Sequence, residues 1–154
     1  MQRFMGSTDM TVLLVVSILA VILSPFAWLR QSRKQGEQMS LRLEARRMGL
    51  AMQLAPQQWP HWLAQEPPSP CPQYHRGRRK GHEDSWCYWQ VSPGVWWNQW
   101  REACDEPRLN EVFARLPASV YKVEADKRML ALYWSERGDK SVLQDIAHAF
   151  DALA

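Results

Sequence analysis

The stretch Val120–Leu153, VYKVEADKRMLALYWSERGDKSVLQDIAHAFDAL, decides the fold class. Its first six residues alternate Val120, Lys122 and Glu124 with Tyr121, Val123 and Ala125, the period of two that a strand requires. Asp126, Lys127 and Arg128 interrupt the run, and Met129 to Ser135 follows as a second apolar segment, so the pair reads as a hairpin. Gly138 and Asp139 stop it. From Ser141 the period lengthens, with Val142, Leu143, Ile146, Ala147, Phe150 and Leu153 on one face of a helix running to Leu153. Two antiparallel strands followed by an amphipathic helix point to an α+β layer.

Working back, Asp105, Glu106 and Pro107 form an acidic, proline-bearing start suited to a helix N-terminus. Leu109, Val112, Phe113 and Leu116 then recur at helical spacing before Pro117. Trp86 to Val91 is dense in aromatic and β-favouring residues and is ended by Ser92, Pro93 and Gly94. The distal order is therefore strand, helix, strand, strand, helix, which predicts a small antiparallel-sheet domain with packed helices over residues 85–154.

Residues 66–84 separate this domain from what precedes it. EPPSPCP (Glu66–Pro72) is too rich in proline for a helix or a central strand, and HRGRRKGHED (His75–Asp84) is polar, basic and bracketed by glycine, as in a surface loop. Upstream, Gln38 to Leu54 favours helix, with Leu41, Ala45, Met48 and Met52 on one side and Arg42, Arg46 and Arg47 on the other. Residues 30–65 thus read as a basic, amphipathic juxtamembrane helical segment.

Ahead of that segment lies Met10–Leu29, MTVLLVVSILAVILSPFAWL, twenty residues without a charge and with only Thr11, Ser17 and Ser24 as polar side chains. At helical rise this run matches the hydrocarbon thickness of a bilayer. No small-residue cleavage pattern follows it, which favours an anchor over a removable signal. The span predicts contact with membrane lipids through residues 10–29, after a short tail at 1–9. Trp28 suits the interface, and Pro25 would relax the helix near its end without preventing a span. Ahead of the run stand only Arg3 and Asp9; behind it come Arg30, Arg33, Lys34, Arg42, Arg46 and Arg47, a candidate lipid-headgroup set. The asymmetry predicts a single-pass protein of the inner membrane, N-terminus outside and C-terminal domain in the cytoplasm.

Charge divides along the chain behind its net +3. From Arg30 to Lys80 ten basic residues face three acidic ones, whereas from Gly81 onward eight face twelve. A basic segment beside the anionic leaflet and an acidic domain beyond it fit that topology. Three cysteines, Cys71, Cys87 and Cys104, are an odd number in a compartment that keeps thiols reduced, which argues against a disulfide framework.

Nine Trp in 154 residues are the other outlying feature. Trp86, Trp89 and Trp134 fit an aromatic core. Trp59, Trp62, Trp96, Trp97 and Trp100 lie among Pro, His, Asn and Gln and form the candidate surface for an unidentified protein partner. Cys71, His75, His82 and Cys87 have the ligand types of a tetrahedral zinc site, with half-site spacings looser than usual and a basic loop between them that opposes a dication. Zinc is therefore the alternative to an expectation of no cofactor. The basic run Arg76, Arg78, Arg79 and Lys80 is short and its downstream neighbour acidic, which argues against nucleic acid. Neither a Gly-rich phosphate loop nor a G-x-S-x-G or H-E-x-x-H pattern occurs, so no catalytic residue is assigned. A thiol-dependent enzyme using Cys87 or Cys104 with His75 or His82 stays as a second alternative. The leading expectation is a membrane-tethered bacterial interaction module, an adaptor or scaffold.

Overall fold

The computed structural model describes residues 6–154, so Arg3, one of the charges ahead of the apolar run, lies outside the described residues. The chain divides into two compact units, Met1–Met39 and Ser40–Ala154. The first consists of helix α1 (Ser7–Arg47) up to Met39. The side chains from Met10 to Leu29 are exposed along it, and it is long and apolar enough to cross a membrane. Thr11 and Ser17 return their hydroxyl protons to the carbonyls of Ser7 and Leu13, 2.6 and 2.8 Å away. Neither polar group is left unsatisfied in an apolar surround.

The second unit opens with the last turns of α1. The helix was expected to run to Leu54 but ends at Arg47. Gly49 takes φ +83°, its N–H donates to the Arg46 carbonyl, and the N–H of Leu50 reaches back to Ala45. This is a Schellman cap, sealed by contact between the buried Ala45 and Leu50. Past the cap, Met52 no longer continues the helical stripe but lies in strand β1 (Ala51–Ala55). The spacing of Leu41, Ala45, Met48 and Met52 is the same whether or not the helix stops, which is why period alone overran the glycine.

Strands β2 (Cys71–Gly77), β3 (Trp86–Ser92), β4 (Val95–Trp97), β5 (Val120–Ala125) and β6 (Met129–Trp134) complete one antiparallel sheet in the order β1-β2-β6-β5-β3-β4. The predicted hairpin is β5–β6, at the centre. The expectation that the sheet domain starts at residue 85 is corrected, because β1 and β2 form one flank of the sheet. The proline and arginines of Cys71–Gly77 predict loop. The segment is a strand because alternate residues serve two faces: Tyr74 is buried in the core, while Gln73 lies on the opposite side.

Helices α2 (Pro107–Arg115) and α3 (Lys140–Leu153) and the end of α1 cover one face. Tyr74, Leu130, Leu132, Trp134, Val120, Val123 and Trp96 meet Leu41, Ala45, Leu109, Phe113, Leu143, Ile146, Phe150 and Leu153 in a single core. Asp139 caps α3 by accepting from the N–H groups of Ser141 and Val142. Gly138 before it has φ +137°, and an added Cβ would come within 2.7 Å of Val142. A bulge between Val120 and Lys122 corrects the simple alternation read for β5. It sends Val120 into the core with Val123 and Ala125, and leaves Tyr121, Lys122 and Glu124 for the other face.

Candidate functional site

The face without helices carries the site. Register places Gln53, Gln73, Tyr133, Lys122, Trp89 and Trp97 in one row across all six strands. The row is linked by hydrogen bonds. Gln53 Nε2 donates to Gln73 Oε1 at 2.6 Å, Gln73 Nε2 to the Tyr133 hydroxyl at 2.7 Å, and that hydroxyl to Glu124 Oε1 at 2.7 Å. Lys122 Nζ lies 3.0 Å from Glu124 Oε2, donates to Gln57 Oε1 at 3.1 Å and sits 4.8 Å from the centre of the Tyr133 ring. Its ammonium is thus held by one charge, one amide and an aromatic face, the set a shielded cation needs.

Residues 56–70 fold over this row. Trp59 meets Tyr121 and Tyr133 edge-on, at 6.0 and 6.2 Å between ring centres, and its indole N–H donates to the Pro68 carbonyl. Trp62 meets Trp89 edge-on at 5.8 Å and lies 6.1 Å from Trp97. Trp59 and Trp62, two of the five expected on a partner surface, are half-buried and serve as cover for the sheet. Trp96 is corrected further: it is 5 % exposed and stacks on Phe113 at 4.9 Å, because β4 turns it toward the helices. Trp97 is half-buried against Trp62, and only Trp100, at 70 % exposure, stands free.

Trp100 is presented by a built turn. The Asn98 side-chain oxygen accepts from the N–H groups of Trp100 and Glu102, at 2.9 and 3.0 Å, and Arg101 adopts φ +61°. Beside it the cover ends and a cavity of about 540 Å³ opens. Cys87, Ala131 and Met129 line it together with Trp86 and Trp100, and Asn98, Gln99, Glu124 and Asp126 supply polar groups. Burial pushes the Cys87 thiol from its ordinary 9.0 up to about 12, with the Lys122 charge pulling the other way. A thiol in that state is apolar lining and a poor nucleophile at neutral pH. Glu124 is held by Tyr133 and Lys122. The cavity is shaped to receive a side chain, with an aromatic wall, an apolar floor and polar groups at hand.

The zinc quartet is not brought together. Cys71 and His75 lie on β2 and Cys87 on β3, with β6 and β5 between them, so three strand spacings of about 4.8 Å part them. His82 stands outside the strands, and among the described residues no group of three or more His, Cys, Asp or Glu is placed to hold a metal ion. In the lipid set Arg30, Arg33, Lys34, Arg46 and Arg47 are exposed. Arg42 is a correction, since its guanidinium binds both carboxylate oxygens of buried Glu136. The basic loop is also partly spent: Arg76 pairs with Asp151, and Arg78, its side chain fully buried, binds Asp84.

Sequence reasoning missed Gln57, Gln73, Lys122, Glu124 and Tyr133. Lys122 and Glu124 two apart on a strand read as a solvated face, and only the proline-rich segment that folds across the sheet buries Lys122 and leaves Glu124 half-buried at its edge. No protein-family model, curated protein or solved structure matches this chain.

Proposed function

We propose that this chain is a single-span interaction module of the bacterial inner membrane, whose sheet unit holds a protein partner at the cytoplasmic face. The observation that carries the reading is Trp100, presented by the Asn98 turn at the mouth of a cavity with an apolar floor and a polar rim. A large exposed indole beside a pocket that its neighbours only half fill is the composition of a binding hot spot. The apolar helix supports tethering, and the excess of Lys and Arg behind it supports the cytoplasmic placement. The set of contact residues is accordingly narrowed from five Trp to Trp100, on the cavity that Cys87 floors.

Two measurements in cells test this. Paired reporters fused after Ala154, one active only in the cytoplasm and one only outside, fix the orientation. A photo-crosslinking residue at Gln99, exposed on the cavity rim beside the intact Trp100, is then compared with one at Gln144, on the exposed side of α3. A cytoplasmic signal, with a discrete crosslinked protein from position 99 and none from 144, is expected. An outside signal, or the same products from both positions, overturns the proposal.

A further inference from the structure

The two ends of the sheet are unlike. At one, β4 is three residues long, its register with β3 is broken between Gln90 and Ser92, and the chain's own Ala103 bridges to Trp97 on its outer side. Shortness, irregularity and cover are the devices by which proteins blunt a strand edge. At the other end β1, Ala51–Ala55, pairs in unbroken register with β2 over all five residues, and among the described residues no strand follows it. Its sequence, AMQLA, has no charge, no proline and no glycine, and Leu54 stands 55 % exposed. A regular, uncharged edge with unused backbone donors and acceptors is a template for one more strand.

The residues of β1 specify what that strand is. Aligned antiparallel with a second copy about Gln53, the strand is self-complementary at every position. Gln53 faces itself, and an amide is both donor and acceptor, so two of them pair. Met52 faces Leu54 of the second copy on the side where Met52 already meets the core, which covers the exposed leucine. Ala51 faces Ala55, both small enough for close approach. A two-fold axis through Gln53 makes the contact isologous, the commonest form of self-association. We propose that β1 is a self-pairing edge, through which two copies of this chain join their sheets into one continuous antiparallel sheet.

A five-residue strand pair is a small interface, so the pairing draws on a high local concentration. Confinement of both copies to one bilayer supplies it, and to that extent the proposal rests on the anchor reading. Failure of that reading shows separately, as full-length chain in the soluble fraction.

The test uses the full chain in membranes. In Gln53→Cys the two new thiols face each other across the axis, about 5 Å between Cα atoms, within disulfide reach. In Ala51→Cys they lie about 14 Å apart, four residues of strand, and out of reach. Mild oxidation is expected to link Gln53→Cys into a dimer, to leave Ala51→Cys and the unsubstituted chain monomeric, and to link Ala51→Cys when it is mixed with Ala55→Cys carrying Cys71→Ser, since Cys71 stands opposite residue 55 in the same chain. Adding Leu54→Glu to Gln53→Cys places a carboxylate against Met52 of the second copy and is expected to abolish the link, with the Trp fluorescence of the fold unchanged. No dimer from Gln53→Cys, equal linking at 51 and 53, or linking that survives Leu54→Glu overturns the proposal.

Discussion

Arg42 and Glu136, ninety-four residues apart, form a two-pronged ion pair: the guanidinium Nε and Nη2 lie 2.8 Å from the two carboxylate oxygens. The Tyr74 hydroxyl adds a third bond at 2.7 Å to Glu136 Oε1. The pair joins the last turns of α1 to the segment between β6 and α3, and Glu136 holds φ +57° to reach it. Because the Glu136 side chain is 1 % exposed and that of Arg42 33 %, the two partners are not equivalent. The carboxylate depends on the arginine for its charge balance, whereas the arginine can turn to water.

Removing the arginine is therefore the costlier change. Arg42→Met leaves a buried carboxylate with one hydroxyl donor and is expected to destabilise the unit by about 3–5 kcal/mol. Glu136→Gln keeps an acceptor for Tyr74 and lets Arg42 solvate, at about 1–2 kcal/mol. Urea unfolding of the detergent-solubilised chain, followed by Trp fluorescence, measures both; equal losses, or the reverse order, would show that the carboxylate is not dependent on Arg42.

Trp96 and Trp100, four residues apart, separate folding from recognition. Trp96→Ala empties a site stacked on Phe113 and should cost about 3–5 kcal/mol, enough to shift the urea midpoint strongly. Trp100→Ala removes an indole that is 70 % exposed and should change stability by less than about 0.5 kcal/mol while abolishing the crosslink from position 99. A Trp100→Ala chain that unfolds as readily as Trp96→Ala would move Trp100 into the structural group.

The parts of the fold legible in the sequence are those whose pattern is local. The β5–β6 hairpin, the helices from Pro107 and Lys140 and the apolar run from Met10 each declare themselves by period, cap or length. The errors have one cause, which is that partners distant in sequence decide what a residue is. Gln38–Leu54 carries a helical stripe, yet the same apolar residues serve a strand once Gly49 turns the chain. Arg42 reads as a headgroup ligand until Glu136, just past the end of β6, meets it from ninety-four residues away. Trp59, Trp62 and Trp96 carry no mark that separates cover, core and surface, because indole suits all three. At the candidate site Trp97, Trp100 and Cys87 were visible as unusual residues, whereas the cavity is made by a cover that stops short, which no residue pattern records.

Cys71 and Cys87 are expected to resist alkylation while the chain is folded. Burial pushes both from an ordinary 9.0 up to about 12, a change that leaves about a thousandfold fewer thiolates at a given pH. Mass spectrometry after a short iodoacetamide pulse at mildly alkaline pH should find these two unmodified and should find both modified once the chain is unfolded in urea. Rapid labelling of folded Cys87 would revive the thiol-dependent alternative.

Acid should act through Asp84. Burial raises this carboxyl, but the hydrogen bond and charge of Arg78, with help from the Trp86 indole, outweigh it and hold the group below its ordinary 3.8. A carboxyl whose folded value is depressed contributes stability that is fully present above the unfolded value and is lost as pH falls through the folded one. Arg78 has no exposed side-chain surface and also donates to the carbonyls of Asp84 and Asp126, so its guanidinium stays in place when Asp84 is neutralised. Asp84→Asn is accordingly expected to lower stability by about 1–2 kcal/mol near neutral pH, discounted for a carboxylate side chain 42 % exposed. The gap from the unsubstituted chain should close as pH drops below 3.8, because the native carboxyl then becomes neutral too. Urea midpoints of the two chains across that range measure it; a gap that does not change with pH would mean that Asp84 contributes shape to the β2–β3 connection and not charge.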